Sequence, residues 1–145
     1  MIKAGIIGST GYAGGELARL LLQRDDIEIK WYGSRSYIDQ KYASIYQNMF
    51  RIVDDACMDD NMKELAEQVD VVFTATPQGL CASLMDEDVL SKVKVIDLSA
   101  DFRIKDVSVY EKWYKLTHAS PQFIGEAVYG LPEINREKVK QARLI

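Results

Sequence analysis

The residues best suited to do chemistry stand early in the chain: Gly8, Gly11 and Gly14, spaced by three within Gly8-Ser9-Thr10-Gly11-Tyr12-Ala13-Gly14-Gly15. Glycines in such a row act through the backbone. Gly8 permits a sharp change of direction, Gly11 lets an anion reach the main chain with no Cβ in the way, and Gly14 with Gly15 allows close packing. If a helix starts inside the row, its first N–H groups lack partners and lie at the positive end of its dipole. The chemistry implied is capture of a pyrophosphate, with Gly8, Ser9, Thr10, Gly11, Tyr12 and Ala13 as candidate contacts. The spacing is not the commoner G-x-G-x-x-G. A tight turn that packs and binds nothing is the alternative, though three glycines in seven residues are costly without a ligand.

Elements on either side must hold that turn. Residues 2–7 are a short, β-branched apolar run ending in glycine, which predicts a buried strand. Ala13, Leu17, Leu20 and Leu21 then recur at helical spacing and predict a helix ending near Arg24-Asp25-Asp26. A second strand follows over residues 27–32 and stops at Gly33-Ser34-Arg35-Ser36. The end of a second strand is where a dinucleotide's adenosine ribose would lie. An acidic residue there would bond the 2′-hydroxyl of NAD. Ser34, Arg35 and Ser36 offer donors and a fixed positive charge instead, which suits the 2′-phosphate of NADP. The alternative for Arg35 is a solvated surface side chain.

Downstream the alternation continues. Residues 37–52 hold Tyr37, Tyr42, Tyr46 and Phe50 without a clear period and predict an irregular excursion. Asp59-Asp60-Asn61 supplies helix-start residues for 62–68. Residues 69–75 read as a central parallel strand. Thr76-Pro77-Gln78-Gly79 breaks it before a helix from Leu80, and Thr76 and Pro77 join the candidate cofactor contacts. Residues 93–98 form a further strand ending in Ser99-Ala100-Asp101-Phe102-Arg103. A short helix over 109–114, a turn at 129–133, a helix capped by Asn135 through Gln141 and an opening strand at 142–145 complete the reading. Strands alternating with helices predict an α/β fold, a doubly wound, mostly parallel sheet of Rossmann-like type with helices on both faces. The glycine turn, residues 76–79 and residues 99–103 should then face one crevice at the strands' carboxyl ends.

Size and composition narrow the classes. A chain of 145 residues suits one domain, and 48% hydrophobic with 28% charged residues is ordinary for a soluble globular protein. The net charge of −4 and the absence of a basic cluster argue against nucleic acid. No apolar run is long enough to span a membrane. A strand beginning at residue 2 leaves no room for a targeting peptide, so the cytoplasm is the expected location. Cys57 and Cys81 lack metal or redox spacing, and no metal site is expected. Cys81 as a nucleophile with the lone His118 as its base is the sharper alternative to two packing cysteines and a surface histidine.

The order and spacing of four motifs then add a resemblance that runs through all 145 residues: 8–17, 34–36, Asp97-Leu98-Ser99-Ala100-Asp101-Phe102-Arg103, and Tyr129-Gly130-Leu131-Pro132-Glu133. Together they resemble N-acetyl-γ-glutamyl-phosphate reductases, NADP-dependent enzymes of arginine biosynthesis. The resemblance implies reduction of an acyl phosphate, N-acetyl-γ-glutamyl phosphate, to N-acetylglutamate semialdehyde through a cysteine thioester. It also implies that the nucleophile directly follows the segment matching residues 142–145. On that reading residues 1–145 are an NADP-binding domain without catalytic residues of their own. The substrate and dimerisation domain, the acid–base histidine and a homo-oligomeric parent are expected beyond it. Many members carry His where this chain has Gln78. Asp101 and Arg103 either pair to shape the crevice floor or help place substrate. The cofactor domain of an aspartate-semialdehyde-type dehydrogenase and a non-catalytic NADP-sensing module remain the alternatives.

Overall fold

The computed structural model describes all residues, 1–145. Four strands, β1 (Ile2–Ile7), β2 (Ile27–Gly33), β3 (Val71–Thr74) and β4 (Lys94–Asp97), form one parallel sheet in the order β2-β1-β3-β4. The chain steps from β1 to one side for β2 and to the other for β3. The crevice between the carboxyl ends of β1 and β3 is therefore the topological switch point. Both sheet edges are extended. Met58 pairs beside Gly33, and Leu144 pairs beside Val95 with Ile145 N donating to the Val95 carbonyl at 2.9 Å. The expected opening strand at 142–145 thus lies against β4.

Side chains of β1 separate by the two-residue period of a strand. Ala4 and Ile6 join a cluster with Ala18, Leu21, Tyr32 and Tyr42 on one face. Ile7 joins Leu65, Val72, Val89, Val95 and Leu144 on the other. Each fully buried isoleucine of this kind contributes about 1.5–3 kcal/mol by leaving water. Helices cover both faces, as the sequence pattern predicts.

Helix α1 (Tyr12–Leu21) follows the glycine turn, and its buried face matches the expected one only in part: Leu21 is buried and Leu17 packs against the same cluster. Gly14, Gly15, Ala18 and Leu21 are buried, whereas Ala13 and Leu20 are exposed. The reason is contact distance. A Cβ on Gly14 would lie 2.1 Å from the Gly8 carbonyl oxygen, so the helix sits on the turn through its glycine side. Gly8 itself has φ +80°, and a Cβ there would meet the Ala75 carbonyl oxygen at 2.3 Å. Only glycine fits that position.

The remaining helices are short. The excursion after β2 contains α2 (Tyr42–Ile45) and a single 3₁₀ turn at Gln47–Met49. α3 (Met62–Ala66) starts where Asn61 accepts from Glu64 N. The helix from Leu80 divides into α4 (Leu80–Leu84) and α5 (Glu87–Lys92) because Asp86 caps a new start by accepting from Val89 N. α6 (Val107–Tyr114) is capped by Asp106. α7 (Pro132–Gln141) begins earlier than expected, with Pro132 at its first turn and Leu131 at the cap. Asn135 does not cap it. Its backbone leaves helical values (φ −117°), and its amide donates to the Tyr129 carbonyl at 3.0 Å. Proline fixes φ at a helical value and has no N–H to leave unpaired, so it starts a helix ahead of an internal Asn.

Candidate functional site

A groove of about 220 Å³ opens at the switch point. The glycine turn, the end of β2 and the end of β3 line it. Of the residues singled out in the sequence, Gly8, Thr10, Gly11, Ser34, Arg35, Ser36, Thr76 and Pro77 all face this one space.

The turn is rigid and its donors are divided into two sets. Gly8 N and Ser9 N both donate to the Gly33 carbonyl, at 3.0 and 2.9 Å, which locks the turn to β2. Ser9 is a correction to the expected contacts. Its side chain is fully buried and donates to the same Gly33 oxygen at 3.0 Å, so it braces the turn and faces away from the groove. The N–H groups of Thr10, Tyr12, Ala13 and Gly14, by contrast, have no acceptor within the chain. They are the orphan donors of a helix N-terminus, and the helix dipole reinforces them. Tyr12 and Ala13 contribute only in this way, because both side chains are exposed and neither lines the groove.

Two tyrosines hold the turn from below. Tyr42 donates its hydroxyl to the Ser9 carbonyl at 2.9 Å, and Tyr46 donates to the Gly11 carbonyl at 2.9 Å and the Thr10 carbonyl at 3.1 Å. Burial raises the pKa of both phenols, so they stay protonated donors across the neutral range. With the turn's carbonyls occupied on that side, Thr10 and Gly11 line the groove, and the free N–H groups of Tyr12, Ala13 and Gly14 stand next to it at the start of α1. These tyrosines stood in the sequence as an aromatic excursion without a period, and nothing in their spacing announced the contact.

At the adenosine end, Thr10 and Ser34 hydroxyls share a hydrogen bond of 2.7 Å. Arg35 is largely exposed and donates through Nε to Asp60, a second groove-lining residue whose place in the sequence marks only a helix start. At the opposite wall the hydroxyl of Thr76 is buried without any hydrogen-bond partner. A buried hydroxyl left unsatisfied costs about 1–3 kcal/mol, so a partner supplied by a ligand would recover it. The donor set fits a dinucleotide: free amides for a pyrophosphate, hydroxyls and a guanidinium for a phosphorylated ribose, and an unmatched hydroxyl on the far wall.

Residues 99–103 do not share this groove as expected. Ser99, Phe102 and Arg103 line a second one, of about 240 Å³, together with Asp97, Tyr129, Gly130 and Ile145. The separation has a cause. The Asp101 carboxylate is fully buried, accepts from Gly79 N at 2.7 Å and Ala82 N at 2.9 Å, and so pins residues 99–103 over the start of α4. Tyr110 adds a third donor at 2.8 Å. The expected Asp101–Arg103 pair does not form, for Arg103 donates to the Tyr114 hydroxyl instead. His118 is not a surface residue either. It is buried, its Nδ1 accepts from Ser120 N at 3.1 Å, and its Nε2 therefore donates to the Asp101 carbonyl at 2.6 Å. Asp97 at the floor accepts from Thr74 and Ser99, while burial pushes its carboxyl above the usual carboxylate range.

Neither cysteine is poised to react. Cys81 is fully buried, and burial, reinforced by the nearby Asp97 charge, pushes its thiol well up. Cys57 is buried too, with its thiol raised by the same desolvation. Gln78 is exposed and lies outside both grooves. No three of the His, Cys, Asp and Glu side chains gather to hold a metal ion, and no helix is long and apolar enough to cross a membrane.

Comparison with known proteins agrees with this architecture. Residues 3–142 match the family described as semialdehyde dehydrogenase, NAD binding domain. An N-acetyl-gamma-glutamyl-phosphate reductase of Lachnoclostridium phytofermentans is 69% identical over 145 residues, all of this chain and 42% of the relative. The corresponding reductase of Heliobacterium modesticaldum is 46% identical over the whole chain and 41% of its own length. The chain therefore spans about 42% of the length of the curated relatives it matches. Among solved structures, an aspartate semialdehyde dehydrogenase with NADP from Candida albicans aligns with a TM-score of 0.55 at 20% identity. It covers 74% of this chain and 32% of that one, a likeness of fold.

Proposed function

Since the chain belongs to the family of semialdehyde dehydrogenase NAD-binding domains, we propose that residues 1–145 are the NADP-binding domain of an N-acetyl-γ-glutamyl-phosphate reductase. The observation that carries the cofactor half of this reading is that two sets of open donors meet at one groove, with Thr10, Ser34, Arg35 and Ser36 lining it and the other free N–H groups of the turn beside it. Four free N–H groups stand at the start of α1, and Ser34, Arg35 and Ser36 stand at the end of β2. The first set would hold the pyrophosphate and the second the 2′-phosphate, with Thr76 completing the far wall. When bound, the nicotinamide supplies the hydride for reduction of the acyl carbon. The chain's own residues bind and orient it: Tyr42 and Tyr46 fix the turn, and Gly8 and Gly14 keep it close to the helix.

The substrate half rests on the identity to reductases across all 145 residues. In this proposal the parent enzyme acts on N-acetyl-γ-glutamyl phosphate in the cytoplasm, as a homo-oligomer. Its nucleophilic thiol lies outside residues 1–145, since Cys57 and Cys81 are both buried with raised thiol pKa values.

Replacement of Arg35 by Ala tests the cofactor assignment. Titration calorimetry should show NADP weakened by about 1.5–3 kcal/mol, the worth of a hydrogen bond to a charged group, and NAD unchanged. Equal losses for both nucleotides would show that Arg35 does not read the phosphate.

A further inference from the structure

Asp60 is an unexpected neighbour for a guanidinium that is to bind a phosphate. It lines the same groove as Arg35 and carries a negative charge. Its position is fixed from both sides. Upstream, Ser34 N donates to the Met58 carbonyl at 2.7 Å, and Met58 N donates to the Tyr32 carbonyl at 2.9 Å, so residue 58 is stitched to the end of β2. The Trp31 indole donates to the Asp59 carbonyl at 2.8 Å, and Asn61 N returns to the Asp59 carboxylate at 2.9 Å. Downstream, Asn61 caps α3. The Asp60 side chain is 21% exposed, against 62% for Arg35. The carboxylate is the more enclosed partner and the arginine the more exposed one.

The geometry of the pair decides its use. Asp60 accepts from Nε of Arg35, and no acceptor in the chain takes either terminal nitrogen. A guanidinium carries its five donors in a rigid plane, so holding Nε fixes where the other nitrogens point. We infer that Asp60 is a positioning residue for cofactor selection: it pins Nε so that the two terminal nitrogens of Arg35 are presented to a phosphate on the ribose. This inference rests on the reading of Arg35 given above. Asp60 also repels a phosphate through its charge, and the two effects oppose each other. A hydrogen-bond acceptor without charge separates them.

The test uses the 145-residue chain with Asp60→Asn, Asp60→Ala and Arg35→Ala, titrated with adenosine 2′,5′-bisphosphate and with 5′-AMP. Asn keeps an acceptor for Nε and loses the charge; Ala loses both. The charge effect is common to the two variants and cancels in their comparison. Asp60→Ala should bind the bisphosphate about three- to tenfold more weakly than Asp60→Asn, the cost of ordering one released long side chain. The two should bind 5′-AMP alike. Equal affinities of both variants for the bisphosphate, or tighter binding by Ala, would overturn the inference. Arg35→Ala separates the two levels: if it discriminates between the ligands as well as wild type does, the assignment of Arg35 has failed, not the role of Asp60 alone.

Discussion

The two grooves at the carboxyl ends of the strands use similar chemistry, and they differ in whether their polar groups already have partners. Around the glycine turn, four backbone N–H groups, the Thr76 hydroxyl and the outer nitrogens of Arg35 are free. Around residues 97–103, Asp97, Ser99, Asp101, Tyr110 and His118 satisfy one another or the backbone. A closed network of buried polar groups marks scaffold, whereas donors left open at a groove are available to a ligand. The comparison teaches that the more elaborate motif is not the more open one. Asp101 with its three donors holds the grooves apart.

Asp101→Ala breaks the closed side most severely. It strands Gly79 N, Ala82 N and the Tyr110 hydroxyl in a buried site. Stability should fall by about 3–5 kcal/mol, as when one member of a buried charged network is removed. Denaturant titration measures this, and a loss below about 1 kcal/mol would mean the network is not scaffold. The folded fraction should still bind NADP.

Thr76→Val probes the open side with the opposite signature. The hydroxyl has no partner to lose, so removing it should leave the ligand-free protein as stable as before or slightly more so. NADP affinity should drop by about 0.5–1.5 kcal/mol, the net worth of one hydrogen bond. A destabilised protein with unchanged affinity would place Thr76 with the scaffold.

The smallest effect concerns pH. The Asp97 carboxyl is raised above its ordinary value of 3.8, first by burial, against the pull of its bonds from Ser99 and Thr74. Between 3.8 and the raised value the folded state holds more protons than the unfolded, so stability falls as pH rises through that window. Above the window the penalty is constant. Asp97→Asn removes the titration, and the stability difference between variant and wild type should shift in favour of Asn as pH rises from 3.8. Thermal midpoints across acid pH give the sign. A difference that shifts the other way would place Asp97 among carboxylates stabilised by their partners, as Asp106 is, whose pKa is lowered by hydrogen bonds from Ser108 and Val109.

Much of the sheet was legible because β-branched runs such as 69–75 and 93–98 have few other places to go. Their parallel order followed from the helices between them. The glycine turn was legible because Gly8 and Gly14 answer steric demands that no other residue meets. Ser9 was not, because the side-chain direction after Gly8 depends on a positive φ that the sequence does not display. Asp60 was hidden for another reason: its partner lies 25 residues away, and only the pairing of Met58 at the sheet edge brings them together. His118 lies in a loop as expected, but it looked like a surface residue because its partners, the Asp101 carbonyl and Ser120 N–H, satisfy it through the backbone. A pattern of residue types carries no sign of main-chain partners.

The direct test of open against closed is amide NMR of the 145-residue chain titrated with NADP. The account predicts the largest shifts at Thr10, Tyr12, Ala13, Gly14 and the Arg35 side chain, with Asp101, Tyr110 and His118 nearly still. Shifts concentrated on residues 97–103, or none at the glycine turn, would contradict it.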